Sequence, residues 1–416
     1  MCVKPPRALS IVLGDHFSIL FEEKNKNVEQ YPFTQVDNVV LNSPRQKRKN
    51  LPAKEEEKRR RICKIWRNKI LPDWETSRDT HFSHTSWRLG IPPTLRYKVW
   101  PLAIGNVLKI TPEMYTIYSK RASTMQQEIL NSSEPHDLSS SNMIGREATI
   151  SLLHTDVPRT FPSLGLFDES GPYYAQVLDL LTIYACYRPD LGYIQGMSYV
   201  AAMLVLHIPH DPYLAFQCLA NLMVTEHLFT FYLLDVELAA SYYTLFDSLL
   251  HTTRPCLHSH LHAVGITPQL YLRNWFQLVF LQTLPLEIAS RVWDCFLLDG
   301  TVYLFRTALA ILELLEPYLL GREVDEALPL IQKSIFYQDL WHTVITESEL
   351  FATIDRISIP SSLYNDLDRV IHDVFFYAKD EYASGRGKSA GVARVKEESK
   401  SMYKLSDTLN GVLGGF

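Results

Sequence analysis

Two short segments set strongly polar side chains beside chain-breaking residues in otherwise apolar surroundings. The first reads Leu153-His154-Thr155-Asp156-Val157-Pro158-Arg159-Thr160-Phe161-Pro162, and the second Tyr193-Ile194-Gln195-Gly196-Met197. Asp156 and Arg159 stand three apart, a spacing at which a carboxylate and a guanidinium can pair and hold the arginine fork in one direction. Pro158 fixes φ immediately before the arginine. Gly196 leaves the backbone next to Gln195 open to close approach. The chemistry such side chains offer is directed hydrogen bonding and charge neutralisation. The spacing alone is met equally well by a structural ion pair and an ordinary helix N-terminus.

Two other constellations imitate chemistry. Gly385-Arg-Gly-Lys-Ser-Ala-Gly391 satisfies parts of three catalytic patterns. Gly387-Lys388-Ser389 ends like a P-loop, but Tyr382 stands where that loop needs its first glycine. The same residues fit a nucleophile elbow and a dinucleotide fingerprint, yet each needs a strand before and a helix after it. Here an acidic helix end precedes and a charged stretch follows. Cys256, His258, His260 and His262 suggest metal ligands, but a two-residue spacing turns about 200° on a helix, so they cannot converge. Zinc ligands are usually three or four apart, so no metal is expected.

The elements that must position the two polar segments are helical. The chain of 416 residues is 46% hydrophobic and 21% charged, the composition of a globular protein. No apolar run approaches the length of a membrane span. The six cysteines form no CxxC pair and read as reduced thiols. The net charge of −5 is uneven, because residues 45–69 carry +9. Within that stretch Ile62, Ile65, Trp66 and Ile70 form one apolar stripe, so residues 54–70 read as a basic helix that docks by its stripe. Membrane-surface and nucleic-acid readings of this helix are weaker, and no nucleic-acid partner is expected.

Further helices are predicted over 173–187, over 195–206, from Asp211-Pro212 through His227, over 286–298 and over 302–320. The segment from Gln195 is apolar nearly all round and should be the buried central helix. Asp211 is an N-cap with Pro at the first helical position. Residues 124–146 are Ser- and Asn-rich and are expected to include a loop. No alternating strand pair and no fixed repeat is found. The expected fold is all-α, a stacked helical array. An irregular arm spans 1–53, a basic helix and connector 54–85, the main domain 86–365, and a terminal helix with a flexible tail 366–416.

Four motifs together carry a resemblance to the TBC domain family of Rab GTPase-activating proteins. Gly90-Ile-Pro-Pro-Thr-Leu-Arg96-Tyr-Lys-Val-Trp100 resembles its opening, G-I-P-x-x-L-R-x-x-V-W. Asp156-x-x-Arg159-Thr160 matches the arginine motif, with Leu153 where Ile is usual. Tyr193-Ile-Gln195-Gly196 matches the glutamine motif, and Arg291-Val-Trp293-Asp294, followed by Gly300, resembles R-x-W-D…G. The motifs stand in family order, and the resemblance runs from about Ser86 to about Ile359.

The resemblance implies a two-lobed helical domain that speeds GTP hydrolysis by a GTP-bound Rab through two fingers supplied in trans. Arg159 would reach the phosphate oxygens and Gln195 would orient the attacking water. Asp156 would aim Arg159, and Tyr193, Gly196 and Thr160 would support the loops. Arg96, Trp100, Trp293 and Asp294 would be structural. GTP and Mg²⁺ would be held by the partner, so no cofactor is expected. By analogy the chain would act in the cytoplasm and peripherally on Golgi, endosomal or autophagic membranes, regulating vesicle transport. A catalytically weak Rab-binding effector or scaffold is the competing function. The presence of both finger residues favours the activator.

Overall fold

Apolar residues recurring every three or four positions dominate the chain, and each such stripe folds as a helix because only that period puts them on one face. The computed structural model describes residues 53–131, 144–232 and 236–359, and among them every regular element is helical. In chain order these are α1 (Ala53–Ile65), α2 (Trp74–Ser77), α3 (His81–Arg88), α4 (Pro93–Ile104), α5 (Pro112–Asn131) and α6 (Leu153–Asp156). There follow α7 (Tyr174–Tyr187), α8 (Met197–His207), α9 (Pro212–Leu222), α10 (Glu226–Tyr232), α11 (Val236–Thr253) and α12 (Pro255–Ala263). The last are α13 (Gln269–Gln277), α14 (Leu286–Asp299), α15 (Thr301–Leu319), α16 (Val324–Ile331), α17 (Gln338–Val344) and α18 (Glu347–Arg356). Residues up to Leu222 with Leu284–Gly300 form one unit, and Met223–Thr283 with those from Thr301 form a second.

In the first unit half of the expected stripe is buried: Trp66 and Ile70 are, while Ile62 and Ile65 are half-buried. α1 continues through a single π turn, Trp66–Ile70, which brings Trp66 and Ile70 onto one face, both 0% exposed. Trp66 meets the Trp87 ring edge-on at 5.6 Å. α8 is buried from Met197 to His207 except at Tyr199, the central helix expected from its uniform apolarity. The Asp211 carboxylate accepts from Leu214 N–H at 2.9 Å and starts α9 as its N-cap.

The structure departs from the expected boundaries at one point. The helix expected to run through His227 ends at Leu222 and restarts at Glu226, with Phe229 N–H bonded to the Thr225 carbonyl. Within 124–146, read as including a loop, α5 continues to Asn131. Ala122 and Met125 are buried at 4% and 0% exposure, and tertiary packing of that face outweighs the local Ser and Thr content. The arm at 1–52, the Ser-rich stretch 132–143 and the stretch from 360 onward lie outside the described residues. So does the terminal helix expected there.

The second unit is organised on aromatic contacts. Phe231 meets Tyr242 at 5.2 Å and Phe276 at 5.7 Å, and Phe276 meets Phe305 at 5.1 Å. The suspected metal cluster is a regular helix, α12, on which Leu257 and Leu261 face inward. Among the described residues no group of three or more His, Cys, Asp or Glu is arranged to hold a metal ion.

One buried aspartate, through its carboxylate and its backbone carbonyl, fastens α3, α4 and α14 of the first unit. Asp294 is 0% exposed and accepts from Arg96 Nη2 at 2.8 Å, Arg96 Nε at 3.0 Å, Trp100 Nε1 at 2.8 Å and Ile91 N–H at 3.3 Å. The Trp87 indole donates to the Asp294 carbonyl. Trp293, also 0% exposed, stacks on Trp100 at 5.6 Å. Burial pushes the Asp294 carboxyl up from its ordinary value, and the Arg96 guanidinium opposes that push. Asp294→Asn should therefore leave the Arg96 charge buried without a counter-ion and destabilise the unit by about 3–5 kcal/mol. Urea titration measures this, and a loss under about 1 kcal/mol would show that the pair is dispensable.

Candidate functional site

The arginine segment is a turn built where α6 ends. Val157 N–H closes the last α-helical bond to Leu153 O, after which Arg159 N–H bonds to Asp156 O at 3.2 Å and Thr160 N–H to Val157 O at 3.0 Å. These tighter bonds spare Pro158, which has no N–H to give. Leu153 and Val157 are both 0% exposed and anchor the turn from below. Arg159 lies at its exposed tip, while Thr160 beside it is buried.

The glutamine segment is the approach to α8. Tyr193, Ile194 and Met197 are buried, and Gln195 between them is exposed. Gly196 caps the helix at φ 101°, ψ −22°, a conformation that side-chain-bearing residues rarely adopt. Gln195, directly before this cap, is exposed.

Three polar contacts bring the two segments together. The Tyr193 hydroxyl donates to Asp156 Oδ2 at 2.9 Å. The Thr160 hydroxyl donates to Ser198 Oγ at 2.8 Å, and both residues are almost fully buried. The Tyr199 hydroxyl donates to the Arg159 carbonyl at 3.4 Å. Phe161 packs edge-on against the Tyr199 ring at 4.9 Å. Burial and the nearby Asp156 carboxylate push the Tyr193 phenol well above its ordinary value, so it stays a donor at neutral pH.

These contacts join Asp156, Arg159 and Thr160 to Tyr193 and the start of α8, with a single change of partner, and Gln195 and Gly196 lie in the chain between the joined residues. The expected Asp156–Arg159 ion pair is not formed among the described residues; Asp156 takes the Tyr193 hydroxyl in its stead. Arg159 is exposed, where an isolated ion pair contributes only about 0–1 kcal/mol, so nothing compels the pairing. His154 is engaged too, with Nδ1 at 3.1 Å from the Tyr174 hydroxyl. Arg96, Trp100, Trp293 and Asp294 belong to the buried network described above and not to this surface.

Sequence reading missed Ser198 and Tyr199. Their contacts join residues 38 and 40 positions apart, and no periodicity announces a pairing at that distance. Chemically, the exposed pair brings a planar fork of donors and a carboxamide with both donor and acceptor. Such groups can bind, orient and offset charge on an anion.

The family model of the Rab-GTPase-TBC domain matches residues 93–320. "TBC1 domain family member 12" of Rattus norvegicus is 37% identical over 329 residues, 76% of this chain and 46% of that protein. The chain thus spans less than half the length of that relative. "Drainin" of Dictyostelium discoideum is 31% identical over 341 residues, 73% of this chain and 76% of its own length. Among solved structures, the flagellar RabGAP TBC domain of Chlamydomonas aligns with a TM-score of 0.54 at 23% identity, over 73% of this chain and 96% of that one, a likeness of fold.

The contact that joins the two segments can be weighed directly. A double-mutant cycle of Asp156→Ala and Tyr193→Phe should give a coupling of about 1–2 kcal/mol in unfolding free energy. A coupling below about 0.3 kcal/mol would mean that this hydrogen bond does not hold the segments together.

Proposed function

On the premise that the chain belongs to the Rab-GTPase-TBC domain family, we propose that it is a GTPase-activating protein for a Rab, supplying Arg159 and Gln195 to the partner's nucleotide site. The observation that supports this most is that the two residues stand exposed on segments bonded to each other at their bases. Phosphoryl transfer asks little covalent work of a catalyst, so the gain comes from positioning water and offsetting developing charge. The Arg159 fork meets the β- and γ-phosphate oxygens, and Gln195 orients the attacking water. Lys would not replace Arg159, since a point charge lacks the planar fork. The GTP and Mg²⁺ belong to the Rab.

Hydrolysis across a panel of GTP-loaded Rabs tests the reading. The chain should accelerate phosphate release by at least one of them, and Arg159→Ala should remove most of that, since such fingers contribute roughly 10³ to 10⁵ in rate. Gln195→Ala should also lose most of the activity. Variants as active as wild type on a responsive Rab would overturn the finger assignment. Binding without acceleration on every Rab would instead mark a scaffold or effector.

The proposal includes a place of action, the surface of Golgi, endosomal or autophagic membranes, where the chain would regulate vesicle transport. Its support is the outer face of α1 and the following turn, where Arg61, Lys64, Arg67 and Lys69 are exposed. Each such charge near an anionic membrane contributes about 1 kcal/mol. The chain should sediment with phosphatidylserine vesicles and not with phosphatidylcholine ones, and K64E/R67E/K69E should abolish this. Equal sedimentation of variant and wild type would remove α1 from the membrane reading.

A further inference from the structure

The segment directly before the arginine motif, 144–152, also meets the glutamine loop. We infer that Thr149 is a positioning residue for Gln195, and that the strap 144–152 sets both candidate fingers in register. The inference rests on Gln195 being a finger.

Thr149 Oγ1 stands 2.8 Å from Tyr193 N–H and accepts from it, while its own proton goes to the Arg146 carbonyl at 2.6 Å. The hydroxyl's donor is used, and so is an acceptor. One residue earlier the backbone passes so close that a Cβ on Gly192 would lie 2.6 Å from Thr149 Oγ1 and 2.7 Å from Arg146 O. The approach is possible only without a side chain. At the strap's other end Arg146 N–H donates to the Pro189 carbonyl at 2.7 Å. The strap thus grips residues 189–193 at two points, the second of them two residues before Gln195.

The strap itself is fixed. Glu147, 1% exposed, accepts from Arg121 Nη2 at 2.6 Å and Nε at 3.1 Å, and its Oε2 accepts Ile144 N–H at 2.8 Å. Arg121 belongs to α5, so the anchor reaches the helical body of the unit. Beyond Thr149 the strap runs as a 3₁₀ turn, Glu147–Leu152, into α6 and on to Arg159. One continuous segment therefore carries one finger at its end and holds the other finger's loop at its middle. Tyr193 is gripped twice, by Thr149 at its backbone and by Asp156 at its hydroxyl. A residue held at both ends cannot slide, and Gln195 follows it by two positions.

Thr149→Val keeps the shape and removes both hydrogen bonds, while Thr149→Ser keeps them. Amide exchange followed by mass spectrometry or NMR should show Tyr193 exchanging at least tenfold faster in Thr149→Val and at the wild-type rate in Thr149→Ser. On a responsive Rab, Thr149→Val should lower kcat about tenfold at unchanged KM, because the loop carrying Gln195 is loosened while the docking surface is untouched. Thr149→Ser should restore it. Unchanged Tyr193 exchange in Thr149→Val would overturn the inference, and so would faster exchange at wild-type kcat. If the wild-type chain accelerates no Rab, the functional reading fails, and the exchange comparison alone decides whether Thr149 holds the loop.

Discussion

A carboxylate without access to water must be met on every side, and Asp294 imposes that demand on the first unit. Its charge is answered by Arg96, 198 positions away in the chain, with the Trp100 indole and the Ile91 amide taking the remaining lone pairs. A buried ion pair rarely adds net stability over a well-packed apolar replacement. What it does is penalise every alternative register of α4 against α14, since each would strand a charge. The consequence reaches the candidate site through packing. Trp100 lies against His207 at 4.5 Å, and His207 is the last residue of α8. α8 is buried along its length, so fixing one end fixes the other, where Gly196 and Gln195 stand. The network that looks remote from function sets the base on which the glutamine projects.

At the site itself, firmness at the base is combined with exposure at the tip. The backbone of Arg159 is held on both sides, its N–H by Asp156 O and its carbonyl by the Tyr199 hydroxyl, while its side chain is exposed. Had Asp156 paired with Arg159, docking onto an anion would first have to break that pair. With Tyr193 as donor, Asp156 bonds to a ring that burial has already immobilised. A hydrogen bond to a charged acceptor contributes about 1.5–3 kcal/mol when part-buried, more than an exposed ion pair gives. The energetics that removed the expected partner leave the Arg159 side chain without that ion pair.

Local grammar made much of this legible. The apolar stripes of α7, α14 and α15, the Asp211 cap and the uniform apolarity of α8 each depend on neighbours within four residues, and each is found close to where its pattern places it. The two motif segments were legible by residue type, and Arg159 and Gln195 in them are exposed. What stayed hidden was long-range pairing. Thr160 with Ser198, Tyr193 with Thr149 and Arg121 with Glu147 are separated by 38, 44 and 26 positions. A serine or threonine that bonds across such a distance has the same letter as one that faces solvent. The break before α10 was hidden too, since neither Pro nor Gly stands between Leu222 and Glu226 to announce it.

The segments that carry Arg159 and Gln195 turn in different ways. Each segment has a left-handed residue within two positions after its exposed side chain. After Gln195 this is Gly196, at φ 101°, which bears no Cβ and so meets little steric resistance. After Arg159 it is Phe161, two residues on, at φ 46°. There an L-residue costs roughly 1–2 kcal/mol. The phenyl ring offsets that cost: it is 8% exposed and packs between Tyr199 at 4.9 Å and Phe167 at 6.1 Å. Burying such a ring contributes about 1.5–3 kcal/mol, which is enough to hold the strained turn. A glycine at 161 would relieve the backbone and lose the ring, and with it the contact that presses Tyr199 toward the Arg159 carbonyl. The strain at Phe161 is thus tied to the same aromatic packing that fixes the arginine's base.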